Sequence, residues 1–460
     1  MPEPTDILAL TRRAVVAPAG HGKTELIAKA SALGRRTLIL THTHAGVHAL
    51  RTRLNRLQIP PEVVSVDTIA SWANRYVQAF PRLAKYPPRN PGGAQWNQIY
   101  EAAAAILNSR IVQQVVKASY DRILIDEYQD CELYQHQIAM ALSSIVPTVV
   151  FGDPMQGIFE FVATRIRWSE QVAPSFTQAY ELTEPHRWNT ANADLGRWIS
   201  YARHQLLHGL PIDLREGPIR YINCNNAFDM SLFFDGFEQR TGTTAAIHCR
   251  RGICNQLAAV TKGAYQAIEE IAAARLMTFA NAWDNAETTS GKATALQELL
   301  VDSMTRVNPR EGDLPLLVHE ARLAETRVLL HQSGSPHDAL ELIKLERAHP
   351  LARTFRAELL NDAKRALADL DAGRRPNLVV ASEAVRHRLS HTGRVPTART
   401  VSTPLLLKGL EYDHVLIPDA THFQTETAAA KLFYVAISRA RSSLTIASQR
   451  PILQFDVPNM

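Results

Sequence analysis

Short apolar runs alternate with stretches of helical spacing over the first 190 residues. Ala14–Val16, Thr37–Leu40, Val63–Val66, Arg122–Ile125 and Thr148–Phe151 read as strands, and Glu25–Ala30 opens a helical pattern after the first of them. Several of these strands deliver a polar motif at their C-terminal end, where an open parallel sheet places its ligand groups. The alternation is interrupted from Trp72 to Ser119. Tyr86-Pro87-Pro88-Arg89-Asn90-Pro91-Gly92-Gly93 is a loop by composition, and Gln95–Val116 reads helical.

A second set of strand-like runs follows: Ile219–Cys224, Thr243–Cys249, Leu378–Ser382, Thr400–Leu406, His414–Ile417 and Ser443–Ala447. Between Asn255 and about Leu370 the spacing turns helical. Leu257, Val260, Ala264, Ile268 and Ile271 fall at helical intervals, and Leu314–Gln332 and His337–Glu346 look similar. The pattern predicts an α/β protein of two sheet domains, with a helical insertion inside the second.

Composition narrows this picture. A chain of 460 residues is too long for one ordinary core. A formal net charge of +5 and a pI near 9.0 lean towards a polyanionic partner. No run of about 18 apolar residues occurs, so no membrane span is expected. The start, Met1-Pro2-Glu3-Pro4-Thr5-Asp6, is unlike a signal peptide. Cys131, Cys224, Cys249 and Cys254 do not frame a zinc site and read as reduced thiols in a cytoplasmic protein.

Candidate chemistry begins at Ala17-Pro18-Ala19-Gly20-His21-Gly22-Lys23-Thr24. Strand, glycine-rich turn and helix form the context of a phosphate-binding loop. Ala19, Gly20, His21 and Gly22 would curl backbone N–H groups around phosphate oxygens. Lys23 would bring a cation to the β- and γ-phosphates, and Thr24 a hydroxyl to Mg²⁺. The strict pattern has glycine where Ala17 stands. About a hundred residues on, the strand Arg122–Ile125 runs into Asp126-Glu127-Tyr128-Gln129-Asp130. Paired carboxylates at a strand end supply the other half of such a site. Asp126 would hold Mg²⁺ through water, and Glu127 would polarise an attacking water.

These residues resemble superfamily 1A DNA helicases, the group typified by UvrD, Rep and PcrA. The resemblance continues in order along the chain. Thr41-His42-Thr43-His44-Ala45 and Ser65-Val66-Asp67-Thr68-Ile69 are similar to the family's first two DNA-contacting motifs. Phe151-Gly152-Asp153-Pro154-Met155-Gln156-Gly157-Ile158-Phe159-Glu160-Phe161 resembles G-D-x-x-Q-S-I-Y-x-W, and Leu182-Thr183-Glu184-Pro185-His186-Arg187 resembles L-x-x-N-Y-R. Lys408-Gly409-Leu410-Glu411 is the family's K-G-L-E unchanged, and Tyr434–Ala440 resembles Y-V-A-x-T-R-A.

The resemblance implies two RecA-like parallel-sheet P-loop NTPase domains with small, mainly helical insertions. Residues 1–190 would form the first, with a reduced insertion at about 72–119. Residues 191–254 and 371–460 would form the second, with an insertion at 255–370. It also implies ATP and Mg²⁺ as cofactors, bound between the two sheet domains. Lys23, Thr24, Asp126, Glu127 and Gln156 would come from the first domain. Arg439 would be an arginine finger from the second, Arg187 would reach the γ-phosphate, and Glu411 would approach the ribose. His42, Thr43, Thr68 and a base-stacking Phe161 would contact DNA. Trp72 and Trp188 lie near motifs, but core packing suits each better.

Departures from the family bear on nucleotide choice. No glutamine precedes Gln58, so the family's upstream adenine reader is missing, and His186 stands in place of its adenine-stacking tyrosine. The expected activity is ATP-driven 3′→5′ movement on single-stranded or tailed DNA. A protein partner, a nuclease or other member of a complex, is expected as well. The alternative is a nucleotide-sensing ATPase subunit that switches a partner nuclease in phage defence, as in compact relatives such as the helicase subunit of the Gabija system. A third reading is an RNA-directed member of superfamily 1; the K-G-L-E and Y-V-A-x-S-R-A forms favour DNA.

Overall fold

The computed structural model describes residues 2–89, 91–159, 164–236, 240–262, 264–267, 271–306, 317–392 and 398–460. They form two compact units. The first comprises Met1–Ile219, Phe423–Ser443 and Ile452–Met460; the second comprises Arg220–His422 and Leu444–Pro451.

The first unit is built on six strands: β1 Arg13–Val16, β2 Thr37–Thr41, β3 Val64–Thr68, β4 Arg122–Ile125, β5 Thr148–Gly152 and β6 Thr177–Glu181. Their order is β3-β2-β4-β5-β1-β6, and every pairing is parallel. The four inner strands are apolar runs because helices cover both faces of the sheet. Alternate residues serve opposite cores. Ile39, Leu124 and Val149 face Leu26, Ile27 and Leu50 on one side. Leu38, Ile123 and Val150 face Trp72, Ile99 and Leu142 on the other. The stretch that interrupts the sequence pattern is therefore part of this core. Its helices Ile69–Ala79, Gln95–Ile106 and Arg110–Ser119 bury Trp72, Ile99, Ala103, Val112 and Val116 against the sheet.

The edge strands read differently. Strand β6 is polar and largely exposed. Strand β3 alternates, and the Arg51 guanidinium donates to the Val66 carbonyl at 2.9 Å, which blunts an edge open to pairing. Strands β1 and β4, which precede the glycine loop and the acidic motif, are separated by β5 alone. Both therefore end on the same edge of the sheet.

The second unit holds a second six-stranded parallel sheet. Its strands are β7 Arg220–Asn223, β8 Thr244–Ile247, β9 Gln266–Ala267, β10 Arg399–Ser402, β11 Tyr412–Ile417 and β12 Ala440–Ser448, the last with only Leu444–Ser448 in this unit, in the order β9-β10-β8-β11-β12-β7. Strand β12 places Thr445 opposite Arg220. The two parallel sheets with flanking helices are the α/β fold expected.

A helical block lies within this unit, with helices Ile271–Asp284, Thr289–Ser303, Leu317–Ser333, Pro336–Ala348, Ala357–Asp371 and Leu378–Thr392. Leu276, Trp283, Leu296, Leu342 and Leu360 share its core. Two strand expectations are corrected here. Leu378–Ser382 opens a helix. The Asp284 carboxylate accepts the Leu378 and Val379 amides at 3.0 and 2.8 Å, and Asn377 accepts that of Val380 at 2.9 Å. These side-chain caps override the β-branched pair Val379-Val380, and Leu378, Ala381 and Val385 enter the core at helical spacing. Thr400–Leu406 is cut to β10, because Pro404 lacks an amide donor and the chain turns, with Leu406 N–H on the Thr403 carbonyl. Among the described residues no helix is long and apolar enough to cross a membrane.

Candidate nucleotide site

The loop after β1 is shaped by two glycines. Gly20 has φ +74°, and a Cβ there would lie 2.7 Å from the Trp188 ring and 2.9 Å from the Arg187 Cβ. Gly22 has φ +82° and caps the helix Lys23–Ala32. Ala17 is not among the non-glycine residues with positive φ, so the glycine of the strict pattern is not needed there. His21 is buried, with Nδ1 2.8 Å from the Ala19 carbonyl; burial lowers its pKa, so it enters the loop uncharged.

Leu26 N–H donates to the Gly22 carbonyl, so the Lys23, Thr24 and Glu25 amides form the helix's first turn, without acceptors inside the helix. With the helix dipole behind them, these donors suit an anion. Lys23 Nζ stands 2.8 Å from Asp126 Oδ1 and 2.5 Å from Glu127 Oε1. Burial alone would lower the Lys23 pKa. The two carboxylates outweigh it and hold the ammonium above its ordinary value. Burial pushes the Asp126 carboxyl up, and Lys23 opposes that shift.

Glu127 adopts φ +54°, a left-handed conformation that side chains other than glycine and asparagine avoid. Its amide is accepted by Asp126 Oδ1 at 2.8 Å. Gln129 donates to Glu127 Oε2 at 2.5 Å and accepts the Asp153 amide at 3.0 Å. Asp153, fully buried after β5, accepts the Met155 amide at 3.2 Å and the Gln156 side chain at 3.0 Å. Gln156 in turn accepts Arg439 Nη2 at 3.3 Å.

Arg439 groups with the first unit. It is buried, and its guanidinium also donates to the Val435 carbonyl at 3.0 Å and to Ser438 Oγ at 2.9 Å. Arg187 donates to the Ser438 carbonyl at 2.6 Å. Lys23, Asp126, Glu127, Gln156, Arg187 and Arg439 thus lie on one hydrogen-bonded framework or its immediate border. The donor set fits a nucleoside triphosphate with magnesium: first-turn amides and three cations for phosphate, and Asp126 with the Thr24 hydroxyl for a hydrated metal. Among the described residues no cluster of three or more His, Cys, Asp or Glu side chains could hold a metal ion.

Three members of the framework carry roles that sequence reasoning missed: Gln129, Tyr434 and Arg203. Ala19 N–H donates to the Tyr434 hydroxyl at 2.9 Å. Arg203, on the helix Ala193–Leu207, contacts Asp153 at 3.4 Å and Glu181 at 2.9 Å, and its guanidinium lies 6.0 Å from the Tyr434 ring. Arg203 has a visible sequence signal, since a charge sits on the stripe of Leu195, Ile199, Ala202 and Leu206 that this helix buries.

The other expected residues are placed as follows. Thr41 and Thr68 are register partners, so His42, Thr43 and Thr68 gather at neighbouring strand ends. Thr43 and Thr68 each cap a helix, accepting Gly46 and Ser71 amides at 3.0 Å. His42 Nε2 lies 3.3 Å from Cys131 Sγ. Phe161 lies outside the described residues. Glu411 belongs to the second unit, two residues past Gly409 (φ +82°) and just before β11. Trp72 and Trp188 are both fully buried, with Trp188 Nε1 donating to the Ala440 carbonyl at 2.6 Å.

Comparison with known proteins adds a family context. Residues 94–177 match the UvrD/REP helicase N-terminal domain, and residues 401–447 match the UvrD-like helicase C-terminal domain. A 117-residue stretch is 24% identical to an ATP-dependent helicase/nuclease subunit of Syntrophomonas wolfei subsp. wolfei. That stretch is 25% of this chain and 10% of the relative, so the chain spans about a tenth of that protein's length. The crystal structure of Pif1 helicase from Candida albicans aligns with a TM-score of 0.41 and 11% identity, covering 96% of this chain and 93% of that one.

Proposed function

Because the chain carries both the N- and C-terminal domain signatures of UvrD-like helicases, we propose that it is an ATP-driven motor on single-stranded or tailed DNA, moving 3′→5′. The observation that carries this reading is the meeting of Lys23 with Asp126 and Glu127, tied through Gln129, Asp153 and Gln156 to Arg439. Lys23 and the first-turn amides bind the phosphates. Glu127, held in place by its backbone and by Gln129, accepts the proton of the attacking water. Arg439 and Arg187 offset the charge that develops on the γ-phosphoryl group, a contribution worth ~10³–10⁵ in rate for such arginines. Magnesium, when bound at Asp126 and Thr24, supplies further charge to the phosphates. His42, Thr43 and Thr68 contact the DNA backbone.

The test is ATP turnover with and without single-stranded DNA or RNA, followed by strand separation on 3′- and 5′-tailed duplexes. Stimulation by DNA and separation from a 3′ tail are expected. Turnover indifferent to DNA defeats the motor reading.

A second reading is favoured by the relative named as a helicase/nuclease subunit. Here the protein is the cytoplasmic ATPase component of a complex, and nucleotide turnover switches a partner nuclease in phage defence, with little unwinding. DNA-stimulated turnover without strand separation, together with a nuclease that copurifies from the native host, would select this reading over the first.

A further inference from the structure

From Thr68 to Tyr100 the chain contains no aspartate or glutamate, but four cations: Arg75, Arg82, Lys85 and Arg89. Arg75 is paired with Asp67 at 2.9 Å. The other three are exposed and, among the described residues, have no ion-pair partner. They flank one turn. Ala84 N–H donates to the Phe80 carbonyl at 3.0 Å, Lys85 N–H to that of Arg82 at 3.3 Å and Tyr86 N–H to that of Pro81 at 2.8 Å. The far limb is tied down by Gln78 Nε2 on the Pro88 carbonyl at 2.9 Å. Ala84 is buried beneath the turn.

The turn is thus anchored on both limbs, and it holds its tip in an unusual conformation. Lys85 and Tyr86 are consecutive non-glycine residues with φ +54° and +55°. The ring of Pro87 further disfavours relaxation of Tyr86 to the right-handed helical region. The result is an aromatic side chain 75% exposed; among large apolar side chains of the described residues only Val318 is more exposed. A presented ring beside unpaired cations is the combination that binds single strands without regard to sequence. The π-face stacks on a base, and the cations hold the flanking phosphates. An apolar protein partner would not call for three cations, and a purely electrostatic contact would not call for a ring held out in this way.

We propose that the turn around Tyr86 is a stacking contact for single-stranded DNA, with Tyr86 against a base and Arg82, Lys85 and Arg89 along the backbone. The proposal rests on the reading of the chain as a DNA motor. Its test is the affinity of the full chain for a fluorescent oligothymidine, titrated at several salt concentrations. Tyr86→Ala should weaken binding about tenfold and Tyr86→Phe by less than about twofold, since the ring does the stacking. Replacing Arg82, Lys85 and Arg89 together by serine should reduce the slope of log affinity against log salt by about 2. DNA-free ATP turnover should be unchanged in all three, which also reports an intact fold. Photocrosslinking with a bromouracil oligonucleotide should label the peptide containing Tyr86. Wild-type binding left unaltered by Tyr86→Ala, with crosslinks elsewhere only, overturns the proposal and leaves the basic turn to an acidic protein surface. A wild-type chain that binds no oligonucleotide overturns the motor reading and this contact with it.

Discussion

The Tyr434 hydroxyl accepts the backbone N–H of Ala19 at 2.9 Å, joining residues 415 positions apart in the chain. Tyr434 is fully buried, and burial, reinforced by Asp153, pushes its phenol pKa upward, so the hydroxyl stays protonated at neutral pH. The glycine loop is therefore held from outside by the helix that leads to Arg439. Tyr434→Phe removes one hydrogen bond without changing the packing volume. A net loss of about 1 kcal/mol is expected, read as a KM for ATP about fivefold higher with kcat little altered. An unchanged KM would mean that the loop holds its shape without this contact.

Arg203 is the counter-charge to Asp153, a carboxylate with no exposed surface. Arg203→Met should cost about 3 kcal/mol in urea unfolding, because a buried charge is left without its partner. Since Asp153 also holds Gln156, kcat should fall as well, and Arg203→Lys should recover part of both. Stability lost with kcat per folded molecule intact would confine Arg203 to a packing role.

At the paired acids, Glu127→Gln should keep nucleotide binding and slow hydrolysis by ~10²–10⁴, since an amide is a poor base. Lys23→Ala should lose both binding and hydrolysis. The pH dependence follows from the shifts. The raised Lys23 pKa makes its stabilising contribution full below about pH 10.4 and lost as pH rises through the higher folded value. Without Lys23, only the Glu127 amide opposes the rise in the Asp126 pKa caused by burial. The variant's native state then takes up a proton before its unfolded state does, and it gains stability as pH falls. The Tm gap between wild type and Lys23→Ala should narrow as pH falls from neutrality towards the ordinary carboxylate range. A gap that stays constant would show that the ammonium does not neutralise Asp126.

Legibility differed between strands for a physical reason. Strands β1, β2, β4 and β5 are covered on both faces, so each is an apolar run visible in the sequence. Thr177–Glu181 escaped notice because an exposed edge strand needs no apolar side chains. The glycine loop and acidic pair were legible because each is made of adjacent residues. Gln129 and the Ala19–Tyr434 bond were not, because their roles depend on which distant elements pack together; Arg203 showed only as a charge on a buried stripe, its partner Asp153 being set by packing. Leu378–Ser382 was misread because a capping carboxylate 94 residues away, on Asp284, decides its conformation.

In the second unit, His248 is fully buried, with Nε2 2.8 Å from His422 Nδ1. Burial, with His422 adding to it, lowers its pKa to about 4. A histidine held neutral in the folded state stabilises fully above its unfolded pKa of about 6.5, and the contribution is lost as pH falls through 4. Stability should therefore fall by about 3 kcal/mol over that window, and His248→Gln should flatten the profile. Equal slopes for the two proteins would refute the assignment.

The left-handed backbone at Glu127 bears on how this protein can be altered. Glycine or asparagine would relax that position at once, and neither carries a carboxylate. Glutamate is a residue whose backbone suits the position less well. A redesign that scored folding alone would replace it early, and would return a chain that is easier to purify and unable to turn over its nucleotide. On the proposed mechanism, position 127 is where durability and turnover are set against each other, and any effort to harden this protein should hold it fixed.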